Sequence, residues 1–229
     1  MNTLKTYSTL FSAPFSFSAP FVKMIVMLAM ASSMIACQGQ PSAQTLSDSS
    51  YTVIDPAISV STGDKIEVVE LFWYGCGHCF ALEPAVEKWK KDIPENAEFV
   101  KVPAIFSSRW EFHGKAYYAM EALGVLEEAN AAFFHRIHVL KKPISNLESL
   151  VDFLAAYDKT EAEVTSAFNS FAVDTKLRNA KRLTAKSTAQ GVPAILVDGK
   201  YHTSVSLAGS EEQLFTTINQ LIEKAASER

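Results

Sequence analysis

Beyond residue 50, the most continuous apolar run of the chain spans residues 65–74, K-I-E-V-V-E-L-F-W-Y. A strand that is buried on both faces has this pattern, so the run predicts a central strand. Gly75 ends the run, and residues 76–91 have the apolar spacing of a helix. Residues 98–102, E-F-V-K-V, predict a second strand. This order is that of a βαβ unit, and it predicts a parallel strand pair.

The middle of the chain, residues 109–190, changes to an alanine-rich pattern with helical periodicity and few strand signals. Two helix starts are predicted from capping boxes, Ser145 with Glu148 and Thr160 with Glu163. Gly191 is expected to end the last of these helices, since glycine favours the position after a helix C-terminus. The segment therefore predicts an all-helical insertion.

Strand signals return in the last forty or so residues of the sequence. Residues 193–197 and 201–205 flank Asp198-Gly199, a dipeptide that predicts a tight β-hairpin. Ser210 and Gln213 are then expected to form a capping box at the start of a final amphipathic helix. The whole pattern predicts an α/β fold in which residues 51–108 and 191–229 form the first and second parts of one domain and residues 109–190 are inserted between them.

The N-terminal segment has the features of an export signal. Residues 21–36 are apolar except for Lys23, and they are too short for a membrane span, which needs about 20 residues. Met34-Ile35-Ala36-Cys37 is similar to a bacterial lipobox, which predicts a lipid on Cys37 and a signal over residues 1–37. The alternative is ordinary cleavage after Ala31, with Cys37 left as a stray thiol. The polar residues 38–50 are expected to form a tether.

Composition narrows the function classes. The chain has 229 residues, 48% of them hydrophobic, which is enough for a substantial core. Its formal net charge is −4, and residues 1–37 contribute two lysines and no acid. The remainder is therefore acidic, which argues against a nucleic-acid surface, because such a surface needs clustered lysine and arginine. No cofactor is predicted.

The chemistry of the chain is expected at C-G-H-C, residues 76–79. Cys76 follows the predicted central strand and opens a helix, where free N–H groups and the macrodipole favour a thiolate. His78 can add positive charge or a hydrogen bond. Cys79 is close enough in sequence to form a disulfide with Cys76. We therefore assign Cys76 as the exposed nucleophile and Cys79 as the buried resolving thiol of a redox pair.

A C-x-x-C pair can also bind zinc or form a purely structural disulfide. Zinc normally takes four ligands, and the histidines of the chain offer no second pair with suitable spacing. A purely structural disulfide across so small a loop would restrain the unfolded chain little. A metal-binding lipoprotein that uses Cys76, His78 and Cys79 is the alternative from a different functional class.

Four segments of the sequence together resemble the bacterial DsbA family. They are V-E-L-F-W-Y-G-C-G-H-C-F-A-L-E-P, F-V-K-V-P-A, F-H-G-K-A-Y-Y-A-M-E-A-L-G-V and G-V-P-A-I-L-V-D-G-K-Y. The resemblance implies a thioredoxin fold with an inserted all-helical domain. It also implies that Cys76 and Cys79 are the redox-active disulfide, that His78 stabilises the thiolate, and that the Val192-Pro193 bond is cis beside it.

The same resemblance points to charged residues beneath the active pair, Glu70, Glu83 and Lys101. Glu83 lies four positions after Cys79 on the predicted helix, so its carboxylate could relay the proton of Cys79. Glu70 and Lys101 stand on the two predicted strands and could share that proton-handling role or simply form a buried ion pair. Both interpretations stay open from the sequence.

The resemblance further implies a periplasmic enzyme that donates its disulfide to reduced exported proteins. A DsbB-like, quinone-linked membrane oxidase is the expected partner for reoxidation, and membrane contact is expected only through a lipid on Cys37. Gly77 departs from the proline of the best-known DsbA sequences, and C-G-H-C is similar to the motif of protein disulfide isomerase. A disulfide isomerase or reductase of the same fold is therefore the alternative activity.

Overall fold

The computed structural model describes residues 45–229, and in this part of the chain five strands form one mixed sheet. In spatial order the strands are β1 (Thr52–Val53), β5 (Tyr201–Thr203), β4 (Ala194–Val197), β2 (Ile66–Phe72) and β3 (Ala97–Pro103). The predicted parallel pair is confirmed, because β2 and β3 run parallel from Ile66 opposite Ala97 onward. The neighbour of β2 on its other side, β4, is antiparallel to it.

Eight α-helices accompany the sheet in residues 45–229: α1 (Gly77–Trp89), α2 (Ser108–Ala122), α3 (Leu126–His138), α4 (Leu147–Leu154), α5 (Glu161–Phe168), α6 (Phe171–Lys186), α7 (Val205–Ala208) and α8 (Glu211–Ser227). The segment from α2 to α6 contains no strand, in agreement with an all-helical insertion between the two parts of the sheet. The exact domain boundaries stay a prediction. Among the described residues no helix is both long and apolar enough to cross a membrane.

Every residue of β2 is buried, as its unbroken apolar pattern predicts. Val68 packs on one side with residues of α1 and α8, whereas Val69 and Leu71 pack on the other with the helical insertion. Side chains of a strand alternate between the two faces of a sheet, so one buried strand can join two cores. The redox motif that follows β2 therefore begins from the most enclosed strand of the sheet.

Several predicted boundaries are confirmed. Thr160 and Glu163 form a complete capping box at α5. Asp198 and Gly199 both take positive φ in the turn between β4 and β5, as a tight hairpin requires. Ser210 caps α8 by accepting a hydrogen bond from the N–H of Gln213.

Two predicted helix signals are wrong. The capping box of α4 is made by Asn146 and Ser149 rather than by Ser145 and Glu148, since the helix begins one residue later than expected. Gly191 does not end α6, which stops at Lys186. Ser187 ends it instead, because its hydroxyl donates to the Thr184 carbonyl and accepts from the N–H of Ala189.

Candidate active site

Cys76 stands where the central strand passes into the first helix. Its N–H bonds the Trp73 carbonyl at 2.9 Å, which closes the turn after β2. Its own backbone is extended, with φ −88° and ψ 116°, and it occupies the N-cap position of α1. The first-turn N–H groups of a helix have no partner within the helix, so the N-cap side chain is the natural acceptor for them.

The environment of Cys76 favours a thiolate. The N–H of Cys79 bonds Cys76 Sγ at 3.3 Å, and the Cys76 side chain is half-buried. A hydrogen bond from the Cys79 thiol, the N–H groups of Cys79 and His78, and the charge of His78 lower the pKa of Cys76 to about 6 against the opposing effect of burial. Near neutral pH its sulfur is therefore mostly ionised.

Cys79 lies one turn into α1 and has no exposed surface. Burial raises the pKa of its thiol well above the ordinary range, and the negative charge of Cys76 and of Glu70 adds to that effect. The two cysteines are free thiols in this structure, which thus represents the reduced form. Their assignment as nucleophile and resolving thiol agrees with this difference in burial and ionisation.

The other predicted residues of the motif surround these sulfurs. The Val192–Pro193 bond is cis, and Cys76 Sγ lies 3.4 Å from the Val192 carbonyl oxygen, which accepts a hydrogen bond from the sulfur when Cys76 is protonated. His78 and Gly77 are exposed in the first turn of α1. A Cβ on Gly77 would meet nothing within 4 Å, so no steric reason in the described structure requires glycine there.

The three predicted charged residues form one cluster. Lys101 and Glu70 are opposite each other on the neighbouring strands β3 and β2. Lys101 Nζ lies 3.4 Å from Glu70 Oε2 and bonds the Glu83 carboxylate of α1 directly. The Lys101 ammonium also lies 4.8 Å from the centre of the Phe72 ring, a cation–π distance. Two carboxylates therefore share one ammonium in a largely apolar setting.

Glu70 is the most enclosed member of this cluster. Its side chain has 0% exposure, and among residues 45–229 neither of its carboxylate oxygens has a hydrogen-bond partner. Burial raises the pKa of Glu70 to about 7, with Lys101 acting against the rise and Glu83 adding to it. Burial alone would lower the pKa of Lys101, but Glu70 and Glu83 outweigh it and raise that pKa. Lys101 therefore stays charged while Glu70 can exchange a proton near neutral pH.

Sequence reasoning missed Asn130 of α3. Its side-chain N–H donates to Glu83 Oε2 at 3.2 Å, and its carbonyl accepts from the Tyr74 hydroxyl at 2.8 Å. Tyr117 of α2 also reaches the cluster, through a hydrogen bond from its hydroxyl to the Lys101 backbone carbonyl. A single asparagine on an amphipathic helix carries no local sign of such a contact, so only spatial proximity could reveal it.

The histidines offer little to a metal. His138 Nε2 lies 2.8 Å from the Tyr74 carbonyl and His113 Nε2 lies 2.9 Å from the Ile144 carbonyl, so each has a backbone partner. Within residues 45–229 no three His, Cys, Asp or Glu side chains are grouped so that they could hold an ion. Cys37, the predicted lipid site, lies outside the described residues.

Comparison with known protein families and curated proteins identifies the family of the chain. Residues 90–217 match the family model of the DSBA-like thioredoxin domain, a match that begins after the cysteine pair. A thiol:disulfide interchange protein DsbA of Pseudomonas aeruginosa is 37% identical over 76% of this chain and 82% of its own length. The DsbA of Pseudomonas syringae pv. tomato is 34% identical over 85% of this chain and 91% of its own.

Solved structures give the same result for the fold. The crystal structure of Pseudomonas aeruginosa DsbA aligns with a TM-score of 0.74 at 37% identity, covering 79% of this chain and 95% of that one. The oxidoreductase DsbA of Xylella fastidiosa aligns with a TM-score of 0.73 at 27% identity, covering 78% and 96%. The described part of the chain thus has the fold of solved DsbA structures.

Proposed function

This chain belongs to the DsbA family of thioredoxin-fold proteins and is a thiol–disulfide oxidoreductase, and from that premise we propose that it oxidises reduced proteins exported to the periplasm. The observation that carries the proposal is the contrast between an ionised, half-buried Cys76 and a protonated, buried Cys79 on one helical turn.

The reaction begins from the Cys76–Cys79 disulfide. A substrate thiolate attacks Cys76 Sγ, the bond between the two enzyme sulfurs breaks, and Cys79 leaves with the electron pair and takes up a proton. A second substrate thiolate then attacks the substrate sulfur of the mixed disulfide, and Cys76 leaves as a thiolate. The substrate loses two electrons and the enzyme disulfide gains them, so each turnover makes one substrate disulfide and one enzyme dithiol.

The direction of transfer follows from the stability of the leaving group. A thiolate with a pKa near 6 is stable at neutral pH, which favours the reduced enzyme and makes its disulfide more oxidising than one formed by a thiol of ordinary pKa. The Cys79 thiol, the N–H groups of Cys79 and His78, and the charge of His78 stabilise the Cys76 thiolate. The Val192 carbonyl lies beside Cys76, where it can accept a hydrogen bond from the backbone N–H of an extended substrate. Pro193 holds this backbone edge towards the substrate.

Cys79 needs a proton partner, and Glu70 fits that role better than Glu83. The pKa of Glu70 is about 7, so the group is present in both protonation states at neutral pH, and its charge acts on Cys79. A general acid or base works best when its pKa lies near the working pH. Glu83 and Lys101 then set the electrostatic field in which Glu70 exchanges its proton.

Export and anchoring complete the proposal. Residues 1–37 act as the signal, and a lipid on Cys37 would tether the enzyme to a membrane through residues 38–50. The last residues of this tether, Asp48–Ser50, form a short 3-10 helix held to β5 by a hydrogen bond from the Thr203 hydroxyl to the Ser50 carbonyl. Because disulfide donation leaves a dithiol, the enzyme needs an electron acceptor, for which a DsbB-like quinone-linked membrane oxidase is suited.

One pair of assays separates disulfide donation from isomerisation. The oxidised full chain is given a reduced, unfolded protein with two cysteines in the first assay, and a scrambled, fully oxidised protein in the second. We expect rapid stoichiometric oxidation in the first and little reactivation in the second. Efficient reactivation of the scrambled protein by the reduced chain, together with slow oxidation, would favour the isomerase alternative instead.

A further inference from the structure

The helical insertion reaches the charged cluster below the cysteines through the side-chain amide of Asn130. A carboxylate can only accept hydrogen bonds, so the NH2 end of the amide must face Glu83. Its carbonyl end then receives the Tyr74 hydroxyl, which remains a donor because burial raises the pKa of Tyr74 far above neutral. Both ends of the amide are therefore occupied, and its orientation is fixed.

Glu83 needs such a restraint. Its carboxylate and the ammonium of Lys101 line an open groove between α1, β3 and the helical insertion, and the Glu83 side chain is 12% exposed. A carboxylate at the wall of a groove gains hydration if it turns outward. The Asn130 amide opposes that movement, because hydrogen bonds to charged groups are stronger than those between neutral groups.

We propose that Asn130 is a positioning residue: its amide holds the Glu83 carboxylate against Lys101 and so sets the charge that surrounds Glu70 beneath Cys79. The helical insertion thereby tunes the proton exchange of the thioredoxin part through Asn130, whose side chain bonds Glu83 and Tyr74. This inference rests on the proposed role of Glu70 as the proton partner of Cys79.

Other ionisable groups from the neighbouring elements interact with the cluster. Glu87 of α1 raises the pKa of Glu70, and the charge of Glu70 raises the pKa of Cys79 and of Tyr117 of α2. Glu121 of α2 and Glu127 of α3 also act on Tyr117, and Glu83 acts on Tyr74. A substitution at position 130 replaces none of these groups, and a Tyr74→Phe variant separates the lost contact with Tyr74 from the lost contact with Glu83.

Two substitutions of similar size should act in opposite directions. Asn130→Leu removes the restraint, so Glu83 can leave Lys101 and the negative charge beside Glu70 falls. We expect the midpoint of Glu70 protonation to move down by about one pH unit, a tenfold change in proton affinity. Asn130→Asp adds a carboxylate to the cluster, and we expect the midpoint to move up by a similar amount.

The test follows the Glu70 carboxyl by carbon-13 NMR in the reduced full chain as pH is varied, for the original chain and each variant. The rate at which Cys79 displaces glutathione from its mixed disulfide with Cys76 is measured on the same samples. Asn179→Leu is the matched control, because Asn179 lines the same groove and its side-chain carbonyl accepts from Arg182, whereas the Asn130 amide donates to Glu83. It should leave both profiles unchanged.

Tyr74→Phe is a milder variant that loosens the amide by removing only one hydroxyl, and it should lower the midpoint by less than Asn130→Leu. Opposite shifts in the Leu and Asp variants support the positioning role. The positioning role would be overturned if both Asn130 variants lost the same amount of stability and neither shifted the pH profiles. The oxidation of a reduced peptide by the original chain is measured separately. If that oxidation fails, the proposed function is contradicted, whereas the effect of Asn130 on the Glu70 titration is still tested by the variants.

Discussion

The outer and the inner end of one helical turn hold the two sulfurs of this enzyme in opposite states. At the outer end, Cys76 caps α1, receives backbone N–H groups and is ionised near neutral pH. At the inner end, Cys79 is fully buried, lies within reach of the Glu70 charge and keeps its proton. The same residue type three positions apart is thus held in two ionisation states by burial, by hydrogen-bond direction and by the nearby charges of His78 and Glu70.

The two ends of the turn also differ in whether backbone groups or side chains surround the sulfur. The outer end uses the backbone of a helix N-terminus, which any chain that passes from strand to helix provides. The inner end uses side chains from several elements, with Glu70 on β2, Lys101 on β3 and Glu83 on α1. Substitutions at the outer end should therefore change thiolate stability, and substitutions at the inner end should change proton transfer.

The largest effect is expected when the inner sulfur is removed. Cys79→Ser leaves Cys76 able to attack a substrate disulfide but removes the thiol that resolves the resulting mixed disulfide. We expect oxidase turnover to fall by at least about 10³-fold, as for other lost covalent groups, and the mixed disulfide to accumulate. Mass spectrometry of the protein after incubation with glutathione disulfide checks this. Cys76→Ser should form no adduct, and an adduct on Cys79 in that variant would contradict the assigned order of attack.

A smaller effect is expected when the proton partner of the inner sulfur is made neutral. Glu70→Gln keeps the shape and leaves Lys101 paired with Glu83, so we expect the resolving step to slow by about 10²-fold and to lose its inflection near pH 7. The thiolate titration of Cys76 should be nearly unchanged. A resolving rate with the original inflection in the Gln variant would show that another group carries the proton.

The same substitution has a consequence for stability whose sign is fixed by linkage. The pKa of Glu70 is raised from 4.5 to about 7, so its contribution to stability is complete below pH 4.5 and is lost as pH rises through 7. That loss is on the order of 3 kcal/mol in the original chain. Urea unfolding of the reduced proteins at pH 4.5 and pH 8 should show this decline in the original chain and a smaller one in Glu70→Gln.

At the outer end, His78→Leu should have a moderate effect. His78 supplies positive charge to the thiolate, whereas the hydrogen bonds from the Cys79 thiol and N–H remain in the variant. We expect the Cys76 pKa to rise by up to about one unit, and the disulfide to become a weaker oxidant by up to about tenfold. Absorbance of the thiolate near 240 nm measures the titration. A rise of several units would mean that the helix N-terminus contributes little.

The smallest effect is expected from Gly77→Pro. Position 77 is the first of α1, its surroundings are open, and the extended Cys76 suits the residue before a proline. Proline would remove the N–H of residue 77 but not that of Cys79, which bonds the Cys76 sulfur. We expect a gain of about 0.4–1 kcal/mol in stability and a change of less than one unit in the Cys76 pKa. A clear loss of stability in urea unfolding would contradict this.

The elements that could be predicted from the sequence are those defined by a local pattern of residues. The apolar run before C-G-H-C identified the central strand, and the dipeptide Asp198-Gly199 identified the hairpin, since both depend on neighbours in the chain. The strand β1 was not predicted because two exposed residues carry no pattern. The start of α4 was misplaced because Ser145 and Asn146 are both good caps, and tertiary packing decides between them.

The residues of the candidate site also divide into those that a local motif predicts and those that only tertiary packing brings together. Cys76, Cys79 and His78 are adjacent in sequence, so the outer end of the turn was predictable from the motif. The preference for Glu70 over Glu83 as proton partner depends on complete burial, which no residue pattern reports. Asn130 joins the cluster across 47 residues of chain from Glu83, and only the packing of α3 against α1 brings them together.

The most direct test of the central claim is the melting temperature of the reduced and the oxidised full chain, measured from pH 5 to pH 9. The Cys76 pKa is lowered from 9.0 to about 6, so the stabilisation of the reduced form is complete above pH 9 and is lost as pH falls through 6. We predict that the reduced chain has a higher melting temperature than the oxidised chain at pH 7 to 9. Each kcal/mol of difference in their free energies of unfolding corresponds to about 2–4 °C, and the difference should shrink towards pH 5. A higher melting temperature for the oxidised chain at pH 8 would contradict the proposal that Cys76 makes this protein a disulfide donor.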